Sequence, residues 1–356
     1  MPSQSFLSDG FANNALIDDL VFQVPGSFMS SFGIARRRVL TLGLLGLSGR
    51  VGSRVHAQTN VWPTRQVRFI VPFGPGAGAD IGARLISDKL SKRWGQPIVI
   101  DNRPGGDGIV AVTSFLAAND DHVLIFGPSG SFTVHPYQFD NLRYVFQRDL
   151  LPIARFSSTI AALAVPTASG LSDMKEFVAR AKANPGKLNI ALVPGVTEFA
   201  WDGFAKVEGF QITKVSYKDI VSAAADLGEG RLDAALAAYA TLRPVEATGK
   251  IKLIAVATPA RVPQLPDIPS ATEAGFPSLE FEGLIGFFGP KSMSQELRSR
   301  IGGDVTAAAA DPVLEQRLAG TGQVLIPGGA AEFRASIEKQ VEQVAAIAKL
   351  IGMSPK

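Results

Sequence analysis

Beyond Trp62-Pro63 the chain alternates short apolar runs with segments whose apolar residues recur at helical spacing. The run Val67–Val71 breaks at Pro72-Phe73-Gly74-Pro75-Gly76. After it, Ile81, Leu85, Ile86 and Leu90 fall on one helix face and Arg84, Asp88 and Lys92 on another. This reading predicts strands at 67–71, 97–101 and 122–126, separated by helices at 79–94 and 107–118. A second series follows, with strands at 160–165, 187–192, 212–216, 232–237 and 251–257 and helices at 172–183, 197–208, 219–228 and 241–248. Asn184-Pro185-Gly186 and Gly228-Glu229-Gly230 punctuate it. The proline-rich stretch Val262–Pro277 connects to an apolar strand at 284–288. Helices at 294–309, 311–319 and 330–350, with a strand at 323–326, complete the pattern. Such alternation predicts two α/β units, each a mostly parallel sheet flanked by helices, the second inserted between parts of the first.

Composition narrows the chemistry. The 356 residues are 46% hydrophobic and 19% charged, which suits two globular domains. Of 35 basic and 32 acidic residues, the first 57 positions hold five and three, so the remainder is nearly neutral and gives no argument for a nucleic-acid partner. Without cysteine there are no disulfides, thiolate metal ligands or thiol nucleophiles. Arg36-Arg37-Arg38, the apolar stretch Val39–Leu47 and the small-residue ending at Ala57 read as an export signal over residues 1–57, cleaved after Ala57. Both a twin-arginine and a general secretory route fit it, and either Met1 or Met29 can be the start. The apolar stretch is far shorter than the roughly 20 residues of a membrane span. The location implied is periplasmic.

The glycine-rich loop after the first strand leads into a helix start, where unpaired backbone N–H groups at the positive end of the helix dipole attract anions. Gly76, Gly78 and Gly82 give GxGxxxG, not the dinucleotide fingerprint GxGxxG. No GxSxG or HExxH is present, and beyond the signal the histidines are His122, heading an apolar strand, and His135, read as structural. No catalytic residue, metal site or cofactor is expected.

Several blocks carry a resemblance: VRFIVPFGPGAGADIGARLISDKLSKRWGQPIVIDNRPGGDG (67–108), FGPSGSFTVHPYQF (126–139), AKANPGKLN (181–189), VSYKDIVSAAADLGEGRLD (215–233), GKIKLIAVATPAR (249–261), LPDIPSATEAGFP (265–277) and GLIGFFGP (283–290). Together they resemble Bug-type (TctC-like) solute-binding proteins, the extracytoplasmic receptors of tripartite tricarboxylate transport systems. The resemblance covers roughly residues 62–350. It implies a two-domain periplasmic binding protein of the Venus flytrap, type II-like kind. Lobe 1 would comprise 58–161 plus 287–356 and lobe 2 162–286, with hinge strands near 160–166 and 284–289.

The resemblance also implies a carboxylate ligand held between the lobes. Matching positions in the first loop are Phe73, Gly74, Gly76, Ala77, Gly78 and Asp80; Asp80 reads either as a helix N-cap or as a ligand contact. Ser129 and Ser131, after the third strand, read as ligand hydroxyls or as turn residues. In the facing lobe Val196 and Thr197 follow a loop shorter and less polar than the family's. There Glu198 adds negative charge and Phe199 or Trp201 apolar surface, which favours a monocarboxylate with an apolar or aromatic part. Tyr217 and Asp219 match a Tyr-Lys-Gly element, with Asp219 in place of glycine as a helix cap or a ligand partner. The partners implied are a small organic acid and membrane permease subunits, with the receptor a monomer. Alternatives are a ligand sensor for a membrane receptor and an exported cofactor-dependent enzyme.

Overall fold

The computed structural model describes residues 62–193, 195–215, 217 and 220–356; the expected export signal and Asp219 lie outside the described residues. The chain runs β1 (Val67–Val71), α1 (Gly78–Trp94), β2 (Ile98–Asn102), α2 (Ile109–Ala118), β3 (Val123–Pro128), α3 (Ser129–Gln138), α4 (Phe146–Asp149) and β4 (Leu150–Thr159). It continues through β5 (Ala161–Pro166), α5 (Met174–Ala183), β6 (Asn189–Leu192), α6 (Val196–Glu208), β7 (Thr213–Val215), α7 (Ile220–Gly228), β8 (Ala234–Ala238), α8 (Tyr239–Glu246) and β9 (Ile251–Val256). It closes with β10 (Gly283–Pro290), α9 (Gln295–Ala309), α10 (Pro312–Ala319), β11 (Gln323–Gly328) and α11 (Ala330–Ile351).

Two sheets result, ordered β11-β4-β10-β3-β1-β2 and β7-β6-β8-β5-β9. The alternating pattern held for β1 with β2 and β3, and for β6 with β7 and β8, which pair in parallel through helical crossovers. The remaining pairs, β10 with β3 and β4, β11 with β4, and β5 with β8 and β9, are antiparallel. Both sheets are therefore mixed, not mostly parallel. The reason is the path of the chain: β4 and β10 reach the first sheet beside strands with which no helical crossover links them in parallel. Ile160 alone separates β4 from β5; its N–H donates to Gly322 O (3.0 Å) and its carbonyl accepts from Tyr239 N (2.8 Å).

Each sheet has its own aromatic core. Phe69, Phe126, Phe156 and Phe287 pack under the first, and Phe177, Trp201 and Phe204 under the second. A smaller cluster of Val134, Phe199, Val344 and Ala348 joins α3, α6 and α11, so the last helix packs against elements of both sheets. Helix α3 was not expected. Gly130, Thr133, Val134 and Pro136 are weak helix formers, and burial of Ser129 to His135 overrides that local preference.

Candidate functional site

Besides α2 and α11, which follow β2 and β11 with the uncapped starts Gly108 and Gly329, four described helices follow strands of the two sheets and lack a side-chain cap: α1, α3, α6 and α8. Their N-caps, Ala77, Pro128, Gly195 and Ala238, supply no side-chain hydrogen bond to the first turn. By contrast α5, α9 and α10 are capped by Asp173, Ser294 and Asp311. Uncapped first turns leave amide donors at the positive end of each dipole, the electrostatics of an anion site.

These starts meet across the junction between the sheets. A Cβ on Gly130 would stand 2.7 Å from Val196 Cγ1, so α3 and α6 touch at their first turns. A Cβ on Gly322 would stand 2.7 Å from Ala240 N at the start of α8. The next residue, Gln323, donates from Nε2 to Gly78 O (2.8 Å) in α1 and accepts from Ser157 Oγ at Oε1 (2.7 Å). The turn before β11 thus lies between the starts of α1 and α8. Sequence reasoning missed Gln323; its burial among apolar neighbours in a short strand is the signal that marks it as a positioning residue.

The first loop is held from below. Asn102 Nδ2 donates to Phe73 O (2.9 Å). Asp80 is buried in the first turn of α1, and Ala77, not Asp80, is the N-cap. The Asp80 carboxylate instead reaches back past the N-cap to accept from Gly76 N (2.9 Å), and also accepts from Arg84 and from Asn102 Nδ2 (2.9 Å). Burial pushes the Asp80 carboxyl up, but the Arg84, Gly76 and Asn102 hydrogen bonds outweigh it and hold the group below the usual carboxylate range. Gly76 has φ 86°, which disfavours any side chain. Gly74 has ordinary φ, and a Cβ there would meet nothing within 4 Å. Its backbone is therefore approachable from open space.

The expected hydroxyls are already engaged. Ser129 Oγ donates to Gln340 Oε1 (2.7 Å), and Gln340 Nε2 donates to Glu282 O (2.9 Å). Ser131 Oγ donates to Asp107 Oδ1 (3.2 Å). Val196 and Thr197 form the first turn of α6, Thr197 being buried. Tyr217 donates its hydroxyl to Asp226 Oδ2 (2.8 Å); burial, then this bond, push its phenol up.

Three expectations about the facing lobe are corrected. Glu198 is turned to Lys214 Nζ (2.8 Å), which also pairs with Asp202, so its charge is held in an ion-pair cluster. Trp201 lies wholly inside the second core, and Phe199 is buried against Tyr137 and α11. Helical spacing carries Trp201 into its own core and Phe199 into the packed contact of α6 with α3 and α11, so neither ring is left exposed to a ligand.

His135 is structural, as expected. Its Nε2 donates to Asp107 O (3.0 Å), so Nδ1 accepts from the Tyr144 hydroxyl. His122 is likewise engaged: Nε2 accepts from Thr64 N (3.1 Å) and Nδ1 donates to Asp121 (2.6 Å). Those bonds and the Arg65–Asp120 pair occupy the one cluster of potential metal-ligating groups among the described residues, Asp120, Asp121 and His122.

The fold and much of the sequence recur in known proteins. A solved structure of R. palustris Rpa4515 with adipate is 26% identical, has a TM-score of 0.73, and shares 83% of this chain and 100% of that one. That of MatC (Rpa3494) from Rhodopseudomonas palustris with bound malate is also 26% identical, with a TM-score of 0.68 over 82% of this chain and 100% of that one. A UPF0065 protein from the tcbD-tcbE intergenic region of Pseudomonas sp. (strain P51) is 30% identical over 310 residues, 86% of this chain and 91% of that protein. The model of the tripartite tricarboxylate transporter family receptor, TctC, matches residues 82–353. With two α/β sheets flanked by helices and a family match across most of its length, the chain belongs to the TctC family of tripartite tricarboxylate transporter receptors.

Proposed function

We propose that the protein is a periplasmic solute-binding receptor that captures a small organic carboxylate between two lobes and delivers it to a tripartite tricarboxylate-type permease. The lobes are residues 58–161 with 287–356, and 162–286. Binding closes them about the strands near 160–166 and 284–289, excludes water and strengthens the amide–carboxylate hydrogen bonds. No covalent chemistry is required.

The observation that carries this reading is the meeting of uncapped helix starts from both sheets, beside a loop whose Gly74 faces open space. The ligand carboxylate lies on those amides of the Phe73–Gly78 loop that the protein leaves free, since the Gly76 N–H donates to Asp80 and the Ala77 N–H to Gly74 O. Asp80 contributes indirectly, by fixing the Gly76 amide and the start of α1. Ser129, Ser131 and Tyr217 hold the surrounding walls through their protein partners. Relatives solved with adipate and with malate support small organic acids as the ligand class.

A thermal-shift screen of organic acids, adipate and malate included, tests it. An acid at a hundred times its Kd adds about 2.7 kcal/mol, a rise of about 4 °C for a protein of this size. Gly74→Ala is expected to fold as stably as the parent and to lose that rise, because the added methyl meets no protein atom but covers the amide face. A Gly74→Ala protein that binds as well as the parent would refute the loop assignment.

A further inference from the structure

Asp107 is the charged group at the junction that neither the family reading nor the capture reading uses. It sits in Gly105-Gly106-Asp107-Gly108, where four successive residues have positive φ, Asp107 itself at 49°. Asp tolerates this left-handed conformation better than most side chains. The turn lies at the same edge of the first sheet as the β1–α1 loop: a Cβ on Gly108 would stand 3.4 Å from Pro72. Oδ1 accepts from Ser131 Oγ (3.2 Å). Oδ2 is buried and has no hydrogen-bond partner. It lies 3.6 Å from His135 Nε2, whose proton goes to the Asp107 carbonyl oxygen instead. It faces the other sheet, 2.9 Å from where a Cβ on Gly195 would stand, at the start of α6. Gly195, at φ 93° and ψ −140°, occupies backbone space open to glycine.

A buried carboxylate oxygen without a donor is costly to leave unmatched. It also places negative charge at the positive end of α6, where a second ligand carboxylate would otherwise sit. Resting on the capture reading, we propose that Asp107 is a specificity-determining residue. It selects an organic acid that carries, away from its carboxylate, a hydrogen-bond donor such as an ammonium or hydroxyl group, and it rejects dicarboxylates of the same length. The ligand's carboxylate lies on the Phe73–Gly78 loop of one lobe, and its donor enters between Asp107 Oδ2 and the start of α6, which cover each other in this structure and must part to admit it.

The test is calorimetric titration of the full mature chain with hexanoate, its ω-hydroxy and ω-amino forms and adipate, and with butyrate, its ω-hydroxy and ω-amino forms and succinate. In the better-fitting series the donor-bearing acid is expected to bind at least about tenfold more tightly than the dicarboxylate. Asp107→Asn, which keeps the left-handed turn and removes the charge, is expected to shrink that preference to less than about threefold. Equal or tighter binding of the dicarboxylate by the parent, or an unchanged preference in Asp107→Asn, overturns the assignment of Asp107 and leaves carboxylate capture standing. If no acid of either series binds, both fall.

Discussion

Gly130 allows lobe contact to be separated from folding. It is the second residue of α3 and has ordinary helical φ, so alanine suits its backbone and adds up to about 1 kcal/mol of local stability. The added Cβ, however, would lie 2.7 Å from Val196 Cγ1, 3.1 Å from its Cβ and 3.5 Å from its Cγ2. Carbon atoms rest near 3.5–4.0 Å apart. Rotating Val196 moves its γ carbons but leaves its Cβ at 3.1 Å within a buried contact, so α3 and α6 must still part slightly. Overpacking of this kind costs about 1–3 kcal/mol. The cost falls on the state in which the two lobes touch. Closure, and with it ligand affinity, is therefore expected to weaken by about 5- to 150-fold. The assay is titration with whichever acid gives the largest thermal shift, together with the melting temperature and the small-angle scattering radius of the ligated protein. Gly130→Ala is expected to melt at or above the parent temperature, bind weakly and remain more expanded. Val196→Ala in the same chain removes the worst contact and is expected to restore most of the affinity. Affinity within twofold of the parent would show that this contact is no part of the bound state.

Acid sensitivity follows from Asp80. Its folded pKa lies below the unfolded value of about 3.9, so its stabilisation is present above that value and is lost as pH falls through the folded pKa. Asp80→Asn is expected to cost about 2 kcal/mol near neutral pH and to flatten the loss of stability below about pH 4; parallel urea melts against pH for parent and variant check this, and identical acid slopes refute it. Gln323→Ala orphans the buried Ser157 hydroxyl and releases Gly78, so a loss of about 1–3 kcal/mol in urea denaturation and weaker ligand binding are expected. Stability loss with unaltered affinity would remove Gln323 from the positioning of α1. Trp201→Ala empties the centre of the second core and is expected to cost about 3–5 kcal/mol in the same assay, whereas a loss below about 1 kcal/mol would place the indole outside that core.

Local chemistry was enough to read the strands other than β4, most of the helices and the glycine loop from the sequence, because alternation, helical periodicity and proline–glycine punctuation are properties of neighbouring residues. The family was legible for the same reason: its motifs are contiguous. Helix α3 was not, since its residues favour other conformations and only their burial makes it helical. Strand direction was legible only in part. Crossover helices imply parallel neighbours, but where β4 and β10 insert depends on how the chain passes between two sheets. The partners of polar side chains lay furthest from the sequence. Glu198 is an unpaired acid in a linear reading and a salt bridge to Lys214 in the fold; Ser129 is a loop hydroxyl that proves bonded to Gln340, 211 positions away. Asp107 drew no notice amid its glycines, because nothing near it in sequence shows that it will face Gly195. What the sequence determined by itself was most of the elements and an anion-seeking loop. The tertiary structure alone decided which charges stay unmatched at the junction, because desolvation and pairing depend on groups brought together from distant parts of the chain.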